Sequence, residues 1–308
     1  MPVIASLAGL SADELRRLWL ALGFAQPGDE ERVFTDGDLI ALSDLRRILD
    51  LGSDGIDETV GLARLVGESF ARISEALVQL LQVRVAQQLA DDDAPDVGVA
   101  VALAAVASTS ELGAIDDLLT YAWKRHLAAS IRRAALRGAD EAMKSVQCVG
   151  FVDIAGFTRM AERLNDDDLA RALDGFQAAA YRAAIVRGSR IVKTVGDEIM
   201  FVTDTPDLGL TVAMELAQGF EFNGERIDVH VGIAWGGVLA RDGDFYGATV
   251  NVASRLCDAA PARGVLLDRS TREALEAGEH QKVGTHAPAQ AAGLGEIDAW
   301  LVMAPDQS

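Results

Sequence analysis

The sequence predicts an α+β protein, with an all-helical first half and a second half in which strands and helices alternate. Up to about Arg137, apolar residues recur with the period of amphipathic helices. After a polar connector at residues 138–141, the pattern changes to short apolar runs separated by glycine turns. The chain has 308 residues, enough for two cores. We therefore expect a helical domain over residues 1–140 and an α+β domain over residues 141–308.

Composition argues against several partners and locations. The chain has 47 acidic and 28 basic residues, a net charge of −19, which repels nucleic acid and anionic lipid. The N-terminus lacks the features of a signal peptide, and the most apolar run, residues 97–107, is about half of the ~20 residues that span a bilayer. Cys148 and Cys257 have no metal-binding spacing and are expected to be buried thiols. We expect a soluble, cytoplasmic protein that binds neither nucleic acid nor membrane.

The first half is predicted to carry no chemistry of its own. Ser11 with Glu14 forms a capping-box pattern, Thr35 with Asp38 precedes a second helix, and residues 57–89 form one long periodic segment. This region has no nucleophile paired with a base, no glycine-rich phosphate loop and no metal-ligand cluster. We interpret it as a regulatory or dimerisation domain.

Two features of this half have both a functional and a structural interpretation. The acidic run at residues 91–93 could bind a metal ion, but a solvated loop before Pro95 is favoured. His126 lies in a periodic run at residues 115–127 and could act as a pH sensor. A structural histidine at a helix interface is the favoured interpretation.

The second half is predicted to follow the order β-α-β-β-α-β. Strands are expected at residues 146–152, 190–193, 198–202 and 227–234, and helices at residues 166–186 and 208–218. A turn at Val195-Gly196 joins the second and third strands in a hairpin. This order is that of the ferredoxin-like split unit, in which the first strand lies beside the hairpin.

Two aspartates are placed to meet at the ends of adjacent strands. Asp153 ends the first strand, and Asp197 follows Gly196 at the tip of the hairpin. Because the strands are neighbours, both carboxylates are aimed at one point, which is how proteins hold hard divalent cations. If those cations bridge a nucleoside triphosphate, the site is a two-metal phosphoryl-transfer centre. For Asp153 alone, a turn aspartate is the structural alternative.

Two further motifs contain candidate nucleotide ligands. Ala155, Gly156 and Thr158 lie between a strand end and a helix start, a backbone geometry that binds phosphate. Asn251 and Arg255 are four residues apart on a predicted helix, where they could orient a sugar and neutralise phosphoryl oxygens. Taken alone, the second motif is better explained as surface polar groups.

Three segments together resemble the class III nucleotide cyclases, the adenylate and guanylate cyclase family. They are FVDIAGFT at 151–158, KTVGD at 193–197 and DFYGATVNVASR at 244–255. The resemblance covers roughly residues 145–303, and the helical first half is similar to the partner domains of soluble actinobacterial members. It implies the family's catalytic domain in the second half.

The resemblance also implies a role for each matching residue. Asp153 and Asp197, assisted by the carbonyl of Ile154, would hold two Mg²⁺ or Mn²⁺ ions per active site, which activate the ribose 3′-hydroxyl and hold the leaving pyrophosphate. Asn251 would position the ribose, and Arg255 would stabilise the transition state. The phosphates would be bound by the turn formed by Gly156, Phe157 and Thr158.

The implied substrate is ATP, which would be converted to 3′,5′-cyclic AMP and pyrophosphate. Lys193 and Asp244 would read the base, because the N1 acceptor and N6 donor of adenine complement a lysine and an aspartate. Guanine presents the reverse pattern, for which the family uses Glu with Cys or Ser. In this family, one protomer supplies the metal pair and the other supplies the remaining groups. A homodimer with two composite sites is expected, regulated by the helical domain.

Departures from the family pattern leave alternatives open. The family often has a Lys or Arg near the C-terminal strand that binds the terminal phosphates, but residues 290–295 offer only alanine there. Lys282 is a candidate substitute. Tyr246 and Ala248 stand where Trp and Asn are common, substitutions we regard as tolerable. The alternatives are a guanylate cyclase and a catalytically weak pseudo-cyclase that binds nucleotide and signals.

Overall fold

The protein consists of two compact units, residues 1–136 and 137–308, which are described separately. The structure is a computed structural model that describes residues 2–26, 34–49, 56–91, 110–137, 144–277, 283–291 and 295–304. The predicted connector at residues 138–141, the apolar run at 97–107 and Lys282 lie outside these ranges. In the parts of the chain that the structure describes, none of the helices combines the length and apolar character needed to cross a bilayer.

The described part of the first unit is helical, as predicted. Its helices are α1 (Pro2–Leu7), α2 (Ala12–Ala21), α3 (Asp36–Leu49), α4 (Ile56–Asp91) and α5 (Ser110–Arg137). The predicted capping box begins α2, because Ser11 accepts a hydrogen bond from the Glu14 N–H and Glu14 accepts one from the Ser11 N–H. Leu15, Leu18 and Trp19 bury the apolar face of α2 in a small core.

The two long helices leave much of their apolar surface exposed. Phe70 on α4 is 49% exposed, and Trp123 on α5 is 62% exposed. His126 also lies on an exposed part of α5, so the helix interface expected around it is not present among the described residues. A structural role for His126 at a helix interface therefore stays a prediction.

The second unit is built around one mixed sheet, with strands and helices in the following order: β1 (Lys144–Ile154), α6 (Phe157–Arg163), α7 (Asp166–Ile185), β2 (Arg190–Val195), β3 (Glu198–Thr203), α8 (Pro206–Leu216), β4 (Phe220–Phe222), β5 (Glu225–Ile227), β6 (Val229–Arg241), β7 (Asp244–Tyr246), α9 (Ala248–Ala259), β8 (Gly264–Asp268), α10 (Arg269–Ala277), β9 (Thr285–His286), β10 (Ala289–Ala291), β11 (Gly295–Ile297) and β12 (Ala299–Met303). The strand order of the sheet is β2-β3-β1-β6-β8-β12-β9, and β7 pairs with β6. Its first four strands have the order of the predicted ferredoxin-like unit, so the α+β fold class is confirmed.

Helices cover both faces of the sheet. Cys148 and Val152 of β1 pack with α7 and α8 on one face, whereas Val149 and Phe151 pack with α9 on the other. The α9 helix packs directly on the backbone of β6, because a Cβ at Gly232 would lie 2.2 Å from the backbone nitrogen of Cys257. The α9 face of the sheet therefore holds this helix at a fixed short distance.

Several elements differ from the sequence-based expectation. A separate short helix, α6, follows β1. The fourth predicted strand, 227–234, is instead β6, which runs from Val229 to Arg241. It is preceded by the β4–β5 hairpin, which turns at Asn223 and Gly224 with positive φ angles of 51° and 79°. Asn-Gly is a strong signal for a two-residue hairpin turn, so this hairpin was predictable.

Candidate active site

Asp153 and Asp197 meet where the neighbouring strands β1 and β3 reach one end of the sheet, as the motif spacing predicts. Strands β1 and β3 pair antiparallel with Asp153 opposite Glu198, so the hairpin tip that carries Asp197 lies beside the end of β1. Gly196 forms that tip with a φ of +62°. Burial, followed by the hydrogen bond and the charge of Asp197, raises the pKa of Asp153 to about 7. Two carboxyl groups therefore share a half-buried site that is short of positive charge.

Glu198 and His230 flank Asp153, and neither was singled out from the sequence. They are the direct cross-strand partners of Asp153 on β3 and β6, so the three side chains share the α9 face of the sheet. Burial, followed by the charges of Asp258 and Asp197, raises the pKa of Glu198. The Nδ1 of His230 is buried and has no hydrogen-bond partner among the described residues. Strand pairing that brings these residues together cannot be seen in single motifs.

The donor set of this site fits a hard divalent cation. Asp153 and Asp197 offer carboxylate oxygens, and the backbone carbonyl of Ile154 is adjacent. Among the described residues, no group of three or more His, Cys, Asp or Glu side chains is arranged as a complete metal site. Mg²⁺ characteristically takes one or two protein carboxylates and completes its coordination with water and substrate phosphates. The pair suits cations that arrive with a nucleotide better than a permanently bound structural metal.

Lys193 lies on the same face of the sheet as Asp153, directly after a β-bulge in β2. Ile191 pairs with Phe201, but Lys193 pairs with Met200, so the register of β2 shifts by one residue at Val192. Directly opposed residues share a face, and Met200 packs on the α9 side of the sheet. Since side chains alternate along a strand, Ile191 and Lys193 would share one face without the bulge, so the bulge places Ile191 on the opposite face from Lys193.

Asp244 lies beside Lys193 because of a hairpin that was not predicted from the sequence. Asp242 and Gly243 join β6 to β7 with φ angles of 52° and 79°, another two-residue turn of the Asp-Gly type. The Lys193 Nζ donates a 2.6 Å hydrogen bond to Asp244 Oδ2. The two predicted base-reading residues therefore lie together, although they are not neighbours in the sequence.

The predicted phosphate-binding turn directly follows β1. Gly156 adopts a left-handed conformation with φ +73° and begins α6, and Phe157 and Thr158 form the first turn of that helix. The first N–H groups of a helix have no partner within the helix, so this turn can donate to anionic oxygens. Arg159, which the sequence analysis did not single out, places its guanidinium group over Gly156.

Asn251 and Arg255 lie one turn apart on α9, as their spacing predicts. Asn251 is exposed, and Arg255 donates a 2.9 Å hydrogen bond to Asp258 within an ion pair. The charges of Lys193 and Arg255 lower the pKa of Glu198, against the larger effects that raise it. The Arg255 guanidinium is thus close enough to Glu198 for its charge to affect the pKa of that carboxyl group. The Asp258 partner was detectable from its spacing of three residues on the same helix.

A sequence model of the family described as "Adenylate and Guanylate cyclase catalytic domain" matches residues 140–304, more than half of the chain. The chain belongs to this family. The predicted recognition of a class III cyclase and the prediction of a cyclase enzyme are both confirmed. The matched segment contains every candidate site residue of this cyclase.

Relatives of this cyclase match along most of their length. An "Adenylate cyclase" of Glutamicibacter nicotianae is 30% identical over 98% of this chain and 77% of its own length. An "Adenylate cyclase" of Streptomyces coelicolor is 32% identical over 88% of this chain and 70% of its own length. Among solved structures, an "Adenylate/Guanylate Cyclase/Hydrolase" from Silicibacter pomeroyi is 26% identical, covering 53% of this chain and 98% of its own, with a TM-score of 0.46. The two sequence relatives therefore resemble this cyclase in both halves.

Proposed function

We propose that this cyclase converts ATP to 3′,5′-cyclic AMP and pyrophosphate. The observation that carries the proposal is the meeting of the Asp153 and Asp197 carboxyl groups beside a phosphate-binding turn. Such a carboxylate pair is suited to cations that accompany a triphosphate. The names of the actinobacterial relatives, both adenylate cyclases, support ATP as the substrate.

The chain supplies ligands for the cations and contacts for the substrate. Asp153, Asp197 and the carbonyl of Ile154 would hold two Mg²⁺ or Mn²⁺ ions. When bound, these ions supply Lewis acidity at the ribose 3′-hydroxyl and at the phosphates. Asn251 orients the ribose, and Arg255 neutralises charge that develops on the phosphoryl oxygens. The turn of Gly156, Phe157 and Thr158 donates backbone N–H groups to the phosphates.

The Lys193–Asp244 pair supports adenine as the base. A lysine donor can contact N1 of adenine, and an aspartate acceptor can contact its N6 amino group. The 2.6 Å ion pair holds both groups at one place on the α9 face before any base is bound. A guanine base would present its own donor to Lys193 and its own acceptor to Asp244, and both contacts would be repulsive.

The active form is proposed to be a homodimer with two composite sites. Each site would combine the metal pair of one protomer with Lys193, Asp244, Asn251 and Arg255 of the other. Exposed apolar side chains on α4 and α5 support self-association through the helical unit, because surfaces of this kind mark interaction sites. They include Phe70, Ile73, Leu118, Trp123 and Ile131.

The helical unit is proposed to regulate turnover by controlling how the two catalytic units meet. This part of the proposal is tested by comparing the full chain with a chain that begins at Ala139. Altered turnover per catalytic unit is expected in the truncated chain. Unchanged turnover at every protein concentration would contradict regulation by the helical unit.

The central test is cyclic nucleotide production by the full chain with ATP or GTP, and with Mg²⁺ or Mn²⁺. We expect cyclic AMP and pyrophosphate in the wild type, and no product in Asp153→Ala. Asp167→Ala is the matched control, because Asp167 is an exposed aspartate in the same unit, at the start of α7. Preferential production of cyclic GMP would indicate the guanylate cyclase alternative. Metal-dependent ATP binding without product would indicate the pseudo-cyclase.

A further inference from the structure

No cation among the described residues has been assigned to the terminal phosphates of the substrate, and the candidate Lys282 lies outside those residues. Lys193 is paired with Asp244, and Arg255 is paired with Asp258. Strand β10, whose sequence is Ala-Gln-Ala, has no basic residue near the position where the family often has one. With a net charge of −19, the protein surface repels a triphosphate unless a cation acts locally.

Arg159 places its guanidinium group at the turn that follows the metal-binding strand. A Cβ added at Gly156 would lie 3.4 Å from Nη2 of Arg159, 3.8 Å from Nε and 4.0 Å from Cζ. The side chain therefore folds back over Gly156, three residues after Asp153, and does not extend away from the site. A Cβ at Gly156 would make only ordinary van der Waals contact with this group, and the left-handed φ of +73° is what favours glycine there.

The guanidinium group of Arg159 is available for a ligand. Arg159 is exposed, and the described part of the chain provides it with no hydrogen bond or ion pair. An arginine presents several N–H donors in a planar fork that matches two phosphate oxygens at once. Its position over Gly156, in the turn that follows Asp153, would bring these donors to the phosphates that this turn binds.

We propose that Arg159 is a substrate-binding residue that holds the terminal phosphates of the nucleoside triphosphate. It thereby takes the place of the basic residue that is missing near the C-terminal strand. The inference rests on the proposed function, because it assigns a further contact to the same site. The ligand chemistry that Arg159 recognises is a polyphosphate chain, independent of the base attached to it.

Arg163 provides a matched control on the same helix. It is also an exposed arginine, and the spacing of four residues places it on the same face of α6. It lies one turn, about 6 Å, further from Gly156 along the helix axis. Loss of general positive charge from α6 would affect Arg159→Met and Arg163→Met alike, whereas loss of a phosphate contact would affect only the first.

The experiment is calorimetric titration of the full-length protein with inorganic tripolyphosphate in the presence of Mg²⁺. We expect Arg159→Met to weaken binding about 10- to 100-fold, the loss expected for charge-assisted hydrogen bonds. We expect Arg163→Met to change it less than about twofold, and Arg159→Lys to fall between the two. The KM for ATP should rise in parallel in Arg159→Met. Thermal unfolding of each variant checks folding, and Arg159→Lys keeps the test valid if the methionine variant does not fold.

The outcomes separate this inference from the proposed function. Equal tripolyphosphate affinity in Arg159→Met and Arg163→Met, with a wild type that cyclises ATP, would overturn the role of Arg159 alone. A wild type that binds tripolyphosphate through Arg159 but forms no cyclic nucleotide would overturn the proposed function and leave the contact in place.

Discussion

Lys193 and Asp244 form a 2.6 Å ion pair although they are 51 residues apart in the sequence. A second contact supports the approach of β2 to β7, because the guanidinium group of Arg190 lies 5.1 Å from the ring centre of Phe245. The pair is about two-fifths exposed at lysine and one-quarter exposed at aspartate, so a ligand can reach it. The donor at Lys193 and the acceptor at Asp244 are the structural basis of the proposed preference for adenine.

Exchanging this pair should change the base specificity. The double variant Lys193→Glu with Asp244→Cys presents an acceptor and a weak donor, which suit guanine. We expect kcat/KM for ATP to fall about 100-fold or more and that for GTP to rise above it. The measurement is steady-state kinetics with both nucleotides. Each single variant leaves one charge of the pair without its partner and should lose activity on both ATP and GTP. A single variant that prefers GTP would contradict this account.

Mixing two inactive variants should restore activity if the sites are composite. In a mixed dimer of Asp153→Ala and Arg255→Ala, one site carries both changes and the other carries neither. Random mixing of equal amounts should therefore recover about a quarter of wild-type activity, because half of the dimers are mixed and each has one intact site. The control is Asp153→Ala with Asp197→Ala, which leaves no intact metal pair. Recovery in the control, or none in the test mixture, would contradict composite sites.

The stability of the metal-free protein should depend on pH through Asp153. Its pKa is raised to about 7 from an ordinary value of 3.8, so the folded state binds this proton more tightly than the unfolded state. The stabilisation is complete below the ordinary pKa and is lost as the pH rises through about 7. Asp197→Asn lowers the pKa of Asp153 and should raise Tm at about pH 8, with little effect at about pH 5.

Calorimetry in the presence of a chelator measures this effect, and Asp167→Asn is the control for the loss of an exposed carboxylate. Adding Mn²⁺ to the wild type at the higher pH should reverse the destabilisation, since the cation neutralises both carboxylates. An equal rise in Tm for Asp197→Asn at both pH values would show that the Asp153 proton is not responsible.

A methyl group at Gly232 should displace α9 from the sheet. Its Cβ would lie 2.2 Å from the nitrogen of Cys257 and 2.5 Å from the oxygen of Ala253, both backbone atoms that cannot move independently. We expect Gly232→Ala to destabilise the second unit by about 3 kcal/mol, which lowers its Tm by roughly 6–12 °C. Gly237→Ala on the same strand is the control, since its Cβ would meet no described atom within 4 Å. Similar Tm values for the two variants would contradict this packing.

Both cysteines should be inert in the folded protein. Burial raises the pKa of Cys148 to about 12 and raises that of Cys257 well above its ordinary value. Only the thiolate reacts with thiol reagents, so neither cysteine should be labelled at about pH 8 in the native state. Both should be labelled in denaturant. Rapid labelling of the native protein would show that one of these cysteines is accessible.

The sequence was sufficient to predict the positions of residues that lie at strand ends and in turns. Asp153 and Asp197 flank glycine turns on neighbouring strands, so their meeting follows from the order of the elements. The short strands β4 and β7 were missed, because three residues are too few to show a two-residue period. Their Asn-Gly and Asp-Gly turns would have revealed them.

Contacts that depend on packing could not be read from the sequence. Glu198 and His230 join Asp153 only through strand register. The position of Arg159 depends on a side-chain conformation over Gly156. No local pattern distinguishes these residues from other exposed or half-buried polar groups, because their neighbours are distant in the sequence.

The bulge at Val192 separates two parts of the hairpin that lie close in the sequence. Beyond it, Thr194 pairs with Ile199 and Val195 with Glu198 in regular register, up to the turn that carries Asp197. Because Lys193 pairs with Met200 in the same register as the residues up to the turn, an insertion or deletion before Lys193 would shift Ile191 and leave Lys193 and Asp197 in place. The hairpin therefore fixes the spacing between Lys193 and Asp197, whatever the length of the strand that precedes the bulge.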